Sequence, residues 1–361
     1  MKLLTLLFFV FTAPLFAQDN PPEDVPRGSV RFMPLYQRWK IGSGGTFSQA
    51  SAVFSFYQPI GTYAGFSLRS AGGATSGDVT KLNGLADAQL GLSYQWEPAH
   101  VVLSVGVNLP ISKKKMTTQE FQTSLLLSNS VFNMQVPGFG SGLNINPRAV
   151  WALPLSEDLV VGVGASYHYK GSYKPLASAG DYDPGDEILV TGGIDLALAS
   201  ATTLSADAVV TFSGKDKLAG KEIFAAGSKI IGNLQFRKAF GHDALRLFLR
   251  YRTRSTSEVA VGTAFVPEIQ KLEPDNFDAI GSYSLRVSDL FSVLFLVEGR
   301  FYKETPLAIS GVKLFGVGLS PSFAVSKNVS IPLTCKLQFG SYKGGNSLQS
   351  QELGVGLMVA Y

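Results

Sequence analysis

Apolar and polar positions alternate one by one through most of this chain. In Ala88–Trp96, residues Ala88, Leu90, Leu92, Tyr94 and Trp96 are separated by Gln89, Gly91, Ser93 and Gln95. Across 101–110, Val101, Leu103, Val105, Val107 and Leu109 share one face, and Ser104, Gly106 and Asn108 the other. In Leu159–Lys170 one face is Leu159, Val161, Val163, Ala165, Tyr167 and Tyr169, while the other carries Gly162, Gly164, Ser166, His168 and Lys170. Successive side chains of a strand point to opposite faces, so sustained period-two alternation predicts strands with two unlike environments.

Short and long connections alternate between these strands. Tight turns are predicted near 59–61, 97–99, 156–158, 200–201, 241–242, 288–289 and 327–328. Longer connections fall near 71–86, 111–142, 170–186, 213–222, 254–276, 303–311 and 343–350, with a short turn at 42–45. With a first strand near 30–40 and a last near 350–361, this spacing gives sixteen strands, fourteen being the alternative count. The class is all-β: a transmembrane antiparallel up-and-down β-barrel. In lipid every backbone N–H and C=O must pair within the protein, which a sheet achieves only by closing on itself. A large secreted β-sandwich or propeller is the soluble alternative; sandwich strands are shorter than these, and the blade-length repeat of a propeller is absent. Aromatic pairs at strand ends (Tyr94/Trp96, Tyr167/Tyr169, Phe301/Tyr302, Phe339/Tyr342) fit interfacial girdles.

The termini extend this picture. Met1-Lys2 precedes an apolar run from Leu3 to Phe11, interrupted by Thr5 and broken at Pro14, which predicts a signal peptide over 1–17 cut after Ala17. The run is too short to span a ~30 Å hydrocarbon core as a helix. A short periplasmic segment (18–29) then leads into the barrel (30–361), with 111–142 as the longest extracellular loop. The expected location is the outer membrane of a Gram-negative bacterium. At the other end Leu353, Val355, Leu357, Val359 and Tyr361 alternate with Gly354, Gly356, Met358 and Ala360. This resembles the C-terminal signature strand of bacterial outer-membrane proteins, which implies recognition by the barrel assembly machinery. That pattern usually ends in Phe, where this chain has Tyr361. Val355 is expected to face lipid and Gly354 the lumen, so that serine at 354 should be tolerated.

Composition narrows the chemistry. Charged residues are 16% and apolar ones 45%, which excludes a disordered chain. A net charge of +4 from evenly spread residues is no nucleic-acid footprint. With Cys335 alone and His100, His168 and His242 far apart, neither metal site nor cofactor is expected. No nucleophile–base pattern marks a catalytic residue, so a barrel hydrolase is the weakest reading.

The inward faces carry scattered charges, among them Asp87, Arg148, Asp195, Glu298, Arg300 and Lys336. A two-residue turn at Gly241-His242 places Arg237 opposite Arg246 and Asn233 opposite Arg250, with Arg252 and Arg254 on the same face. Facing arginines destabilise one another without carboxylates nearby. Asp207 and Asp278, on the flanking strands, are the candidate partners. The ladder is then either neutralised wall or a selectivity lining with a positive field. Loop 111–142 is the other candidate. Thr117 and Glu120 have capping-box spacing for a short helix, and Phe121 and Leu125 would share one face of it. With Phe132 and Phe139 further on, the loop is too apolar to hang in water. It is expected to form a constriction or apolar site in the barrel mouth, or merely to cap it.

The stretch 84–110, with Gly84-Leu85-Ala86-Asp87 before one strand and Asn108-Leu109-Pro110 ending the next, resembles the MetA-pathway phenol-degradation family of outer-membrane barrels. That family shows Gly-Leu-Gly-Asp and Leu-Pro-Thr-Gly; here Ala86 replaces the second Gly, and Ile111-Ser112 replace Thr-Gly. The resemblance implies a diffusion channel for small, often aromatic, solutes. The related hydrocarbon and fatty-acid transporters carry an Asn-Pro-Ala hatch motif, which this chain lacks. The expected function is passive uptake of small, hydrophobic or aromatic, molecules across the bilayer. A closed structural or adhesion barrel is the alternative.

Overall fold

A computed structural model describes residues 27–42, 44–113 and 115–361. The expected signal peptide and most of the 18–29 segment lie outside the described residues. Sixteen antiparallel strands form one closed sheet. They are β1 (Ser29–Ile41), β2 (Thr46–Ile60), β3 (Ala64–Gly77), β4 (Ala88–Trp96), β5 (Val101–Leu109), β6 (Asn144–Pro154), β7 (Leu159–Lys170) and β8 (Glu187–Ala199). The second half comprises β9 (Thr202–Ser213), β10 (Lys229–Phe240), β11 (Asp243–Arg254), β12 (Asn276–Arg286), β13 (Phe291–Tyr302), β14 (Lys313–Ser326), β15 (Val329–Tyr342) and β16 (Asn346–Val355, continued by Leu357–Ala360). Each pairs with its sequence neighbours, and β16 pairs with β1 from Ile41↔Leu348 to Ser29↔Ala360. That closure leaves no edge strand, as lipid demands. Gly356 interrupts β16 where Met33 leans across from β1. A Cβ there would lie 2.3 Å from the Met33 sulfur, so a side chain would require Met33 to move.

The alternation sorts faces as expected. Leu92, Val163, Val190, Leu247, Val297, Val317 and Leu337 are exposed on the outer surface, which a water-soluble fold would bury. Inward positions are mostly small, polar or charged, except near the mouth, where Trp39, Ile41, Phe47, Leu314 and Leu348 face the folded-in loop. The girdle is partly corrected. Tyr94, Trp96, Tyr167 and Tyr169 are exposed, as is Phe339, but Tyr302 is 5% exposed and Tyr342 packs against the interior cluster. Residues an odd number of positions apart on a strand face opposite sides, so one member of each Phe–Tyr pair turns inward.

At the long-loop end, connections expected as irregular form strands. Hairpins Lys215–Leu218/Lys221–Ala225 and Glu258–Val261/Ala264–Pro267 join Tyr182–Asp183 in a five-stranded sheet above the rim. The main apolar core lies inside the barrel mouth, where 111–142 packs on β1, β2, β13, β14 and β16.

Candidate functional site

Loop 111–142 is folded into the barrel and reaches its far wall. Its two stems are tied together by one carboxylate, that of Asp87. Asp87 Oδ1 accepts from the Ser112 N–H (3.0 Å) and hydroxyl. Its Oδ2 accepts from the Ser141 N–H (3.0 Å) and hydroxyl (2.7 Å). Between the stems, α1 (Thr118–Ser128) starts at Thr117 with a complete capping box to Glu120. Lys113 also donates to Glu120, and these bonds from Lys113 and the Thr117 backbone hold its carboxyl below the ordinary range. The helix rests on the β3–β4 connection, where the Thr123 hydroxyl donates to the Thr80 carbonyl (3.2 Å).

Beyond α1 the chain crosses the mouth. The Tyr302 hydroxyl, on β13, donates to the Ser130 carbonyl (3.1 Å). β13 is eight strands from β5 in a ring of sixteen, so the contact is diametrically opposite the stem. Phe132 is fully buried, edge-on to Trp39 (5.2 Å) and Phe47 (5.0 Å). Residues 133–136 descend along β1 and β2, held as an extra strand would be, but by side chains. Gln37 donates to the Asn133 carbonyl and accepts from the Gln135 N–H. Gln49 donates to the Val136 carbonyl and accepts from its N–H. Each glutamine thus satisfies both kinds of backbone group, at positions where burial without a partner costs roughly 1–3 kcal/mol.

The predicted loop residues divide. Phe132 and Phe139 are buried, and Phe121 is half-buried against the same cluster. Leu125 is corrected: it is 56% exposed, because α1 turns Thr123, Ser124 and Leu127 inward, with Phe121 at the edge of that face and Leu125 off it. Met116, Leu127, Val131, Phe132, Met134, Val136 and Phe139 bury one another against the wall, while Ile111 and Leu125 stay exposed.

The predicted arginine ladder lies on the inward faces with the expected register. Arg237 pairs with Arg246, and Asn233 with Arg250. Asp207 accepts from Asn233 (2.7 Å), whose carbonyl accepts from Arg250 Nε (2.9 Å). Arg252 donates to Asp278 (3.1 Å). Asp207 therefore reaches the ladder through Asn233, whereas Asp278 meets Arg252 directly. Charges continue around the wall: Glu298 lies beside Arg300 (3.3 Å) and Lys336 (3.6 Å), and Lys336 meets Glu352 (2.8 Å). Gln37, Gln49 and Glu352 escaped the sequence reading. The available signal was their inward parity on strands beside an apolar loop that needs backbone partners. Among the described residues no cluster of three metal-ligating side chains occurs.

No family model and no curated protein matches this chain. Solved structures do resemble its fold. CdiB from Acinetobacter baumannii aligns with TM-score 0.55 and 8% identity over 92% of this chain and 60% of that one. The chain thus spans 60% of the length of CdiB. OprB from Pseudomonas putida aligns with TM-score 0.52 and 8% identity over 92% and 94% of the respective chains. The CymD monoaromatic hydrocarbon channel aligns at TM-score 0.48 with 9% identity over 93% and 89%. What these structures share with this chain is the closed antiparallel β-barrel, and the exposed apolar outer surface of this barrel fits a bilayer.

Proposed function

We propose that this barrel is a passive diffusion channel for small organic anions, with 111–142 as its extracellular constriction loop. One observation carries the reading. The loop occupies the mouth on the side of β1–β3 and β13–β16, and the wall it leaves free is lined by Arg148, Arg237, Arg246, Arg250, Arg252 and Arg254. The carboxylates on that wall are Glu187, Asp195, Asp207 and Asp278, with Glu273 meeting Arg254 at 2.7 Å, and the arginines outnumber them. A cation-rich wall of low dielectric concentrates anions in the passage. The loop supports the constriction role because its backbone is bonded to the wall and its apolar groups are sequestered. That sequestration also favours anions over purely hydrophobic solutes. The resemblance at 84–110 supports the channel class and adds aromatic solutes, and an aromatic carboxylate meets both descriptions.

Reversal potentials in a salt gradient across planar bilayers test this reading. Wild type should prefer anions, Arg250→Glu should weaken that preference, and deleting 115–139 should raise conductance. A barrel that stays non-conducting with and without the loop would instead be the closed structural one.

A further inference from the structure

The lipid-facing surface changes character where the barrel closes. Outward residues along the β15–β16–β1 seam are apolar up to the row of Leu353 and Tyr36, which are register partners. The next row pairs Gln351 with Arg38, and the one above pairs Gln349 with Lys40. On β15 the same rows keep Leu337 and Phe339, both exposed. These six residues, together with Gln338 and Ser350, line a groove of about 270 Å³ on the outside of the barrel, near its long-loop end. Arg38 and Lys40 are exposed, and neither has a hydrogen bond or ion pair among the described residues.

We propose that this groove binds a phosphorylated glycolipid of the surrounding leaflet. Arg38 and Lys40 would hold the phosphate, Gln349 and Gln351 the sugar hydroxyls, and Leu337 and Phe339 the start of an acyl chain. Charge complementarity commits the groove to that occupant. A cation turned outward within the lipid band is disfavoured unless it reaches the interface or meets an anion. Two such cations with paired amides, set directly above apolar side chains, match a headgroup attached to its chains. The seam is also where the first and last strands meet, so a lipid seated here would bridge the closure. The proposal is independent of whether the lumen conducts.

The test is native mass spectrometry of the delipidated, folded full-length barrel, titrated with a bisphosphorylated hexa-acyl diglucosamine lipid. Wild type should retain one such lipid. The Arg38→Gln/Lys40→Gln variant should bind it roughly tenfold more weakly or worse. Lys238→Gln removes an exposed cation on the opposite rim, over the Phe240 ring (4.9 Å), and should bind like wild type. Gln351→Glu sets a carboxylate opposite Arg38 and should weaken binding with every cation retained, so the idea stays testable if the double variant does not fold. Equal retention of the dephosphorylated lipid would overturn the proposal. So would wild-type binding by both groove variants, an equal loss in Lys238→Gln, or displacement of the lipid by inorganic phosphate at matched concentration.

Discussion

Asp87 shows how much one side chain organises here. It stands just before β4, yet it receives both stems of a loop that leaves from the end of β5 and returns at β6. Four hydrogen bonds from the loop stems to this carboxylate, beside one from Asn108, replace water that the closed loop excludes. Hydrogen bonds to a charged group contribute about 1.5–3 kcal/mol each when buried. Because the site is half-exposed, Asp87→Ala should cost loop closure about 2 kcal/mol in total, or roughly thirtyfold in the open population. Trypsin cleavage beside Lys113 and Lys115 in the folded barrel should accelerate accordingly. Unchanged cleavage would mean that the apolar cluster alone holds the loop. Asp87 was legible as an inward charge; its role was not, because Ser112 and Ser141 lie 25 and 54 residues away.

Among the elements, α1 and the closing strand carry the clearest expectations. Glu120 is held below the ordinary carboxylate range by Lys113 and Thr117. A carboxylate with a depressed folded pKa contributes its stabilisation above its unfolded value, about 4.3, and loses it as pH falls through the folded value. Hydrogen-exchange protection over 118–128 should therefore be flat from pH 7 to 5 and fall in more acid solution. Glu120→Gln should be weakly protected throughout with no acid step, and a step persisting in that variant would place the titration elsewhere. On β16, Val355 is 47% exposed on the lipid face. Arginine there should cost about 2–4 kcal/mol near mid-membrane, seen as loss of the heat-modifiable folded band. Gln235→Arg, on a lumen-facing position, should be mild. Serine at Gly354, expected to be tolerated, requires its neighbours to shift. A Cβ there meets Leu35 Cδ1 at 2.9 Å and the Pro34 carbonyl at 3.0 Å, so the lumenal face is crowded at the seam.

For the molecule as a whole, the division of tight turns from long connections sets the orientation. With short turns in the periplasm, protease added to intact cells should cut in the rim hairpins near 218–221 or 261–264 and spare Gly241-His242. Cleavage at 241–242 with the hairpins protected would invert the barrel and move the loop-filled, arginine-lined mouth to the inner side. The tight turns themselves hold where the sequence places them; Gly241 adopts φ +64°, where a side chain is strained. The rim sheet, by contrast, was hidden, since its strands are only two to five residues long and carry too few alternations to stand out from loop.

What the sequence by itself determined is whatever rests on local repetition. The period-two pattern separates a lipid face from a lumen face residue by residue, and the requirement that lipid-exposed backbone be satisfied converts strands into a closed barrel of even count. Two-residue turns also set register between neighbours, so Arg237 opposite Arg246 and Asn233 opposite Arg250 follow from counting outward from Gly241. Tertiary structure decided whatever spans the lumen. Gln37 meets Asn133 across 96 residues, and Tyr302 meets Ser130 across 172. No periodicity records such pairs. Apolar content can say that loop 111–142 must be covered, but which wall covers it depends on barrel curvature and on the reach of the loop from its Asp87 stem. The same geometry chose Phe132 for the core and left Leu125 in water, because the face of α1 that turns inward is set by where its ends are tied and not by its own weak apolar stripe.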